Sequence, residues 1–349
     1  MNARIVLVIL SCILSLATGL IVSRGKGGGG SAERTARKPV IGLSMDTLKE
    51  ERWIADRDLF MAQAEALGAS VEVRSANSDD TRQLRDVESL ITAGVDALVI
   101  IPHNGAAMAR AVEMAHAEGI PVLSYDRLIT DAETDLYITF DNVKVGELQA
   151  RFLADRIPAG GKMRLVRIYG AKTDNNAKLF KQGQDNILQP LIEAGKVEVV
   201  FEDWAEDWKP ENAKKITNAA ITKAGQNIDA ILASNDGTAG GAVQALIEEG
   251  LAGKVIVTGQ DADLAACQRI VAGTQTMTVY KPLTQLARRA AELAVKLAKR
   301  QPLIAQAGTD NGKVEVPSVL LDIVAVTRDN LRETVIKDGF RQEADVYRK

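Results

Sequence analysis

Short apolar runs alternate with longer amphipathic stretches along most of this 349-residue chain. The run Ala97–Ile101 is apolar at every position, so a strand formed there must be buried on both faces. Strands of this kind belong to parallel sheets that helices cover on both sides. From residue 39 onward the pattern therefore predicts an α/β fold with parallel sheets.

The same pattern predicts individual elements. We expect strands at Val40–Met45, Val71–Ser75, Ala97–Ile101, Val122–Tyr125, Tyr137–Phe140, Arg164–Ile168, Val197–Phe201, Ala230–Ala233, Val255–Gly259, Thr276–Val279 and Val319–Val324. We expect helices at Arg52–Leu67, Asp80–Ala93, Ala106–Glu118, Val145–Ile157, Asn176–Ala194, Pro210–Lys223, Thr238–Glu249, Leu264–Ala272 and Leu283–Arg300. One sheet does not usually hold so many units, which favours two Rossmann-like lobes joined by a hinge.

The order of these elements suggests how the chain divides between the lobes. We expect residues 39–142, with about 283–310, to form the N-terminal lobe. Residues 143–282, with about 311–349, would then form the C-terminal lobe.

Residues 1–38 differ in character from the rest. Arg4 precedes an uncharged run from Ile5 to Val22, which is the pattern of a secretory signal, and Ala17-Thr18-Gly19 offers a cleavage site. Two alternatives stay open: lipidation at Cys12, or retention of the run as a membrane anchor. A glycine-rich stretch over residues 24–31 is typical of a flexible tether. We therefore expect an exported protein that contacts the membrane only through this segment, if the segment is retained.

Composition and motifs exclude several classes of function. Residues 1–38 hold six of the 43 basic residues and one of the 46 acidic ones, so the body is acidic and unsuited to nucleic acid. Cys267 is the single cysteine after Cys12, and we expect it to be a small apolar residue on a helix. His103 and His116 are too few for a metal site and fit surface or packing roles. Neither a G-x-S-x-G elbow nor a phosphate-binding G-x-x-x-x-G-K-[ST] loop is present, so we expect no enzyme and no cofactor.

Polar and planar side chains follow nearly every predicted strand. In open α/β sheets the ligand lies beyond the carboxyl ends of the strands, so these positions are candidates for binding. They are Asp46, Asn104, Asp126-Arg127, Asp141-Asn142, Asp174-Asn175-Asn176, Trp204 to Trp208, Asn235-Asp236, Gln260-Asp261 and Lys281. Trp53 follows the first strand, so every tryptophan of the chain falls in such a position.

This combination of side chains suits a monosaccharide. Carboxylates and amides can bridge neighbouring hydroxyls, Arg and Lys donate to them, and indole rings can cover the C–H faces of the sugar. Each group also has an ordinary structural alternative. Asn235, Asp236 or Asp174 could cap a helix, the tryptophans could pack helices, and Arg52 and Arg127 could be solvated charges.

Several strings resemble the type 1 periplasmic sugar-binding proteins of bacterial ABC transporters, and within that family the members that bind D-xylose. The resemblance covers Val40 to Phe340. It rests on strings such as Glu51-Arg52-Trp53, Tyr125-Asp126-Arg127, Asp174-Asn175-Asn176-Ala177-Lys178-Leu179-Phe180, Ala233-Ser234-Asn235-Asp236 and Gly259-Gln260-Asp261-Ala262-Asp263-Leu264.

The resemblance implies a site between the lobes and a set of partners. Arg52, Trp53, Asp126 and Arg127 would line the sugar from the N-terminal lobe. The C-terminal lobe would contribute Asp174, Asn176, Trp208, Asn235, Asp261 and Lys281. Trp53 and Trp208 would sandwich the pyranose ring, and the partners would be a membrane permease and its ATPase subunits.

Two other functions share this core. Sugar-responsive repressors need an N-terminal helix-turn-helix, and this chain has an apolar leader there. A tethered subunit that reports sugar to a membrane kinase or chemoreceptor is compatible with the glycine-rich stretch and remains the alternative.

Overall fold

The computed structural model describes residues 37–305 and 307–348, which include only residues 37 and 38 of the leader and tether predicted for residues 1–38. Strands are β1 Val40–Met45, β2 Ser70–Ser75, β3 Ala97–Ile101, β4 Val122–Tyr125, β5 Leu136–Phe140, β6 Met163–Tyr169, β7 Val197–Trp204, β8 Ala230–Ala233, β9 Ile256–Val257, β10 Thr278–Tyr280, β11 Ala307–Asp310, β12 Glu315–Leu321 and β13 Val324–Val326. Helices are α1 Glu51–Ala66, α2 Asp80–Thr92, α3 Ala109–Ala117, α4 Asn142–Ala154, α5 Asn175–Glu193, α6 Pro210–Ala224, α7 Asp236–Glu248, α8 Leu264–Ala272, α9 Leu283–Ala298 and α10 Glu343–Val346.

The N-terminal lobe is built on a seven-stranded sheet in the order β11-β12-β5-β4-β3-β1-β2. All neighbours pair in parallel except β11, which runs antiparallel to β12. Strand β3, which lies between β4 and β1, is buried along its whole length, as its uninterrupted apolar sequence requires. Helix α9 packs against α1 on one face of this sheet, so the chain returns to this lobe after β10.

The C-terminal lobe has a four-stranded parallel sheet in the order β7-β6-β8-β9, beside a two-stranded antiparallel pair of β10 and β13. Helices α4 and α5 approach so closely that Cβ atoms on Gly146 and Gly183 would come within 2.0 and 1.9 Å of backbone oxygens across the contact. Only glycine permits this approach. It sets the start of α4 beside the start of α5, at the edge of the cleft.

Three short segments connect the lobes: Asp141 after β5, Lys281-Pro282 after β10, and Asp322-Ile323 after β12. The two-lobed α/β architecture with parallel sheets predicted from the sequence is confirmed. Cys267 is buried on α8, also as predicted.

The end of the chain differs from the prediction. The predicted C-terminal lobe includes residues from about 311 to 349, but β12 pairs in parallel with β5 and belongs to the N-terminal sheet. The single strand expected at Val319–Val324 is two strands, because the chain leaves one lobe at Asp322 and enters the other at Val324. Strand β11, with the sequence AGTD, has no apolar run that would have revealed it.

Across residues 37–305 and 307–348, none of the helices combines the length and apolar character needed to cross a lipid bilayer.

Candidate functional site

A cavity of about 340 Å³, its opening included, lies where the carboxyl ends of strands from both lobes meet. All ten residues that the family resemblance implies line it. Several other strand-end candidates do not: Asp46, Asn104, Asp141, Asn142, Asn175, Trp204 and Asp236. The lining consists of Glu50, Arg52, Trp53, Asp126, Arg127, Asp174, Asn176, Phe180, Trp208, Asn235, Gln260, Asp261 and Lys281. Residues far apart in the chain are thus gathered in one place, as the strand-end rule predicts.

Arg52 lies in the first turn of α1 and bonds a different carboxylate with each of its three guanidinium nitrogens. Its Nε donates to Asp56 at 3.2 Å, Nη2 to Asp126 at 2.8 Å and Nη1 to Asp261 at 3.3 Å. Asp56 and Asp126 share its lobe, and Asp261 lies across the cleft. Burial would raise the pKa of Asp126, but Arg52 and then Lys281 outweigh it and hold this pKa below its usual value.

Asp56 is buried behind Arg52 and supports its guanidinium; we call a carboxylate in this supporting position a brace. Its side chain is 1% exposed, and it accepts a very short hydrogen bond from the Tyr125 hydroxyl as well as the bond from Arg52. Burial raises the pKa of Asp56 to about 6, because Arg52 is shared with other acids and does not fully compensate. These two bonds hold the Arg52 guanidinium in place.

Arg127 directly follows Asp126 and reaches the opposite end of the cavity. Its Nη1 donates to Asp46 at 2.7 Å and to the Pro102 carbonyl at 3.2 Å, and its Nε lies 3.0 Å from Asp174 across the cleft. Burial opposes the ionised form of Asp46, yet Arg127 and then His103 lower its pKa to about 2. Burial raises the pKa of Asp174 despite Arg127.

His103 was expected to be a surface or packing residue, and the structure gives it a more specific place. Its Nδ1 is 3.0 Å from Asp46, so it forms part of the support behind Arg127.

The backbone of two aspartates that line the cavity has a positive φ, which residues other than glycine rarely adopt. Asp126 has φ of 61° and Asp261 has φ of 100°. Such residues persist only where their surroundings hold them. The Asp126 carbonyl accepts bonds from Thr139 at 2.6 Å, Asn176 at 2.9 Å and Tyr137 at 3.0 Å. These bonds turn the carboxylate into the cavity.

Trp53 and Trp208 supply apolar surface from opposite lobes. The Arg52 and Arg127 guanidinium carbons lie 4.1 and 5.1 Å from the Trp53 ring centre, which is cation–π range. Trp208 donates from Nε1 to Asp174 at 3.2 Å. Its ring rests on Gly170, where an added Cβ would come within 2.0 Å of the indole, so this position needs glycine.

Two polar side chains of the C-terminal lobe, Asn235 and Asp174, combine helix capping with cavity lining. Asn235 caps α7 by accepting from the backbone of Thr238 at 2.9 Å, and Asp236, the other capping candidate, lies within the helix. Asp174 caps α5 through the Asn176 backbone at 2.9 Å. Asn176 itself donates to Asp126 across the cleft. The capping alternative is therefore correct for Asn235 and Asp174, and both residues also face the cavity.

Lys281 lies on one of the connecting segments and is 2% exposed. Its Nζ is 2.9 Å from Asp261, which therefore pairs with two cations.

The cavity also has three lining residues beyond the predicted set: Glu50, Phe180 and Gln260. Gln260 stood among the strand-end positions, and Phe180 lies one helical turn after Asn176, so both had a sequence signal. Glu50, just before α1, had none.

Comparison with known proteins gives consistent results. Residues 41–302 match the family described as periplasmic binding protein domain. The chain is 48% identical to a D-xylose-binding periplasmic protein of Escherichia coli (strain K12), over 97% of this chain and 99% of the relative. It is 52% identical to a D-xylose-binding periplasmic protein of Haemophilus influenzae, over 88% of this chain and 92% of the relative.

A solved structure is similar over nearly its whole length. The carbohydrate transporter solute-binding protein of Chloroflexus aurantiacus, in complex with D-glucose, superposes with a TM-score of 0.83 at 34% identity. The match covers 88% of this chain and 98% of that one.

Proposed function

This chain belongs to the periplasmic binding protein family, and from that premise we propose that it is the substrate-binding protein of an ABC sugar importer, with D-xylose as its ligand. The sugar binds in the cavity between the lobes without being chemically changed. The protein then presents its closed form to a permease, which works with its ATPase subunits. The setting is the periplasm, as the names of the two relatives suggest.

One observation carries the proposal. Charged and amide groups from both lobes line a single cavity, and the two arginines bond carboxylates across the cleft. These groups face each other only when the lobes approach, so a ligand that hydrogen-bonds to both walls shifts the protein toward the closed form. A monosaccharide carries donors and acceptors around its whole ring, which is what two such walls require.

The choice of D-xylose rests on the two relatives of that name, with which the chain shares about half its residues. The sensory alternative depends on the glycine-rich stretch, which lies outside the described residues.

Calorimetric titration tests the proposal. We expect D-xylose to bind saturably, and its epimers D-ribose, D-lyxose and L-arabinose to bind at least about tenfold more weakly. A misplaced hydroxyl leaves buried partners unsatisfied at about 1–3 kcal/mol per group. Intrinsic tryptophan fluorescence should change with the same midpoint, because Trp53 and Trp208 line the cavity.

A matched pair of variants localises the binding. Asn235→Ala removes an amide from the cavity, whereas Asn186→Ala removes one from the exposed surface of α5. Only the first should weaken binding. Flat titrations with every pentose and hexose would exclude the sugar-receptor function.

A further inference from the structure

His103 lies where it can contact both lobes at once. It follows β3 in the N-terminal lobe, and its side chain is 12% exposed. Its Nδ1 is 3.0 Å from Asp46, and its Nε2 is 3.9 Å from Asp207 of the opposite lobe. The imidazole therefore stands between two carboxylates, one on each side of the cleft.

Each carboxylate leads directly to a residue of the cavity. Asp46 bonds Arg127 through its other oxygen at 2.7 Å. Asp207 precedes Trp208, and both have left-handed backbone, with φ of 52° and 56°. Asp207 thus shares a constrained turn with the indole. A contact that links Asp46 to Asp207 therefore connects the carboxylate that bonds Arg127 with the turn that positions Trp208.

The other charges around His103 define its surroundings. On the N-terminal side these are Arg127, Asp80 and Lys49, whose Nζ donates to the Asp207 carbonyl at 2.7 Å. On the C-terminal side Lys209 bonds the Asp207 Oδ2 at 2.8 Å. The Asp207 oxygen that faces His103 is the other one, Oδ1. Lys209 therefore leaves one carboxylate oxygen facing the imidazole.

We propose that His103 is a positioning residue for sugar binding: in its protonated form it bridges Asp46 and Asp207, holds the Arg127 and Trp208 sides of the cavity together, and makes affinity rise as the pH falls. The inference rests on the sugar-binding function proposed above.

The direction of the pH dependence follows from comparing the open and closed forms of the protein. The hydrogen bond and charge of Asp46 raise the pKa of His103, against burial and Arg127, and Asp46 is present whether the cleft is open or closed. Asp207 comes within 3.9 Å of the imidazole only on closure, and a carboxylate at that distance favours the protonated form. Protonation therefore favours closure, and sugar binding takes up protons where the two pKa values differ.

Titrations of D-xylose from pH 5.5 to 8.5 test this role. Because Asp207 is partly exposed and shared with Lys209, we expect a modest effect: a Kd about three- to fivefold lower at pH 6 than at pH 8.5. His103→Gln keeps a polar group beside Asp46 but cannot become charged, so its Kd should lose this dependence. Asp207→Asn should lose most of it as well.

Proton uptake on binding gives a second measurement. Calorimetry in buffers of different ionisation enthalpy should show fractional uptake near pH 7 for the wild type and much less for His103→Gln. The control is His116→Gln, because His116 is the other histidine and pairs with Asp135 away from the cleft. It should retain the wild-type slope and uptake.

Two outcomes would overturn the inference. If His103→Gln binds D-xylose with the full wild-type pH slope, other groups cause it and the bridge is wrong, while the sugar-binding function stands. If Asp207→Asn keeps both the slope and the uptake, the contact across the cleft has no role. A protein that binds no sugar at any pH removes the proposed function and this inference together.

Discussion

The two ends of the cavity have the same arrangement of one arginine between two aspartates, but in different surroundings. At each end an arginine of the N-terminal lobe is held from behind by an aspartate and reaches an aspartate of the other lobe. At the Arg52 end the brace is Asp56, sealed with Tyr125, and its pKa is raised to about 6. At the Arg127 end the brace is Asp46, next to partly exposed His103, and its pKa is lowered to about 2.

Both carboxylates are buried and burial is the largest single influence on each pKa, so the opposite directions of the two shifts come from the charges around them. Three acids compete for Arg52, and burial is only partly repaid for Asp56. Asp46 has two basic neighbours and stays ionised although it is also buried. One brace is therefore a standing electrostatic cost, and the other stabilises the fold.

The largest expected effect separates the carboxylates that cross the cleft. Asp261→Asn removes the charge that pairs with both Arg52 and Lys281, whereas Asp174→Asn leaves Arg127 paired with Asp46. We expect Asp261→Asn to weaken D-xylose binding roughly 100- to 1000-fold, about 3–4 kcal/mol, and Asp174→Asn to cost clearly less. Calorimetry measures both, with circular dichroism as the check on folding. Equal losses would contradict the asymmetry.

The contributions of Asp46 and Asp56 to the stability of the fold change in opposite directions with pH. The lowered pKa of Asp46 contributes about 2 kcal/mol that is present above pH 4 and lost as the pH falls toward 2. Asp46→Asn should therefore be less stable at pH 7.5 by about that amount, and the deficit should vanish near pH 2. The raised pKa of Asp56 works in reverse: its contribution is present below about pH 4 and lost as the pH rises through 6.

Asp56→Asn should consequently be as stable as the wild type at pH 7.5, or more stable by about 1–3 kcal/mol. Urea unfolding at a series of pH values compares the two variants. If Asp56→Asn is destabilised as much as Asp46→Asn at pH 7.5, the two braces do not differ as described.

The smallest effects belong to the rim of each end. Glu51 bonds Arg341 and the backbone of Leu264 across the cleft near Arg52, and Lys49 bonds the Asp207 carbonyl near Arg127. These side chains are exposed, so Glu51→Gln and Lys49→Met should each change Kd by less than about fivefold. Moderate salt should reduce the effect of Glu51→Gln. A tenfold loss in either would place the rim among the principal contacts.

Much of this arrangement follows from local sequence. Strands β1, β3, β4 and β8 and helix α8 have the predicted bounds, because uninterrupted apolar runs and turn residues define them. Nine of the ten predicted site residues follow strands whose carboxyl ends converge on one cavity, whereas Arg52 lies on helix α1 and was implied by the family resemblance. Their contact with sugar stays a prediction.

What the sequence did not reveal depends on distant partners. Asp56 and Tyr125 look like ordinary helix and strand residues until folding sets them behind Arg52. The last three residues of β12 fall in the predicted strand Val319–Val324, but its first half carries Pro317 and polar neighbours and is a strand because β5 and β11 pair with it. Such pairing is set by tertiary contacts and has no local signature.

The position of β12 has a consequence for biosynthesis. The chain leaves the ribosome from its N-terminus, so β5 is complete long before Glu315–Leu321 arrives to pair with it. Until then the edge of β5 offers unpaired backbone groups, and pairings so distant in sequence form slowly. Neither half of the molecule can be finished from one contiguous stretch. The N-terminal sheet therefore stays incomplete until residues 315–321 have been synthesised, although β1 to β5 can pair with one another before then.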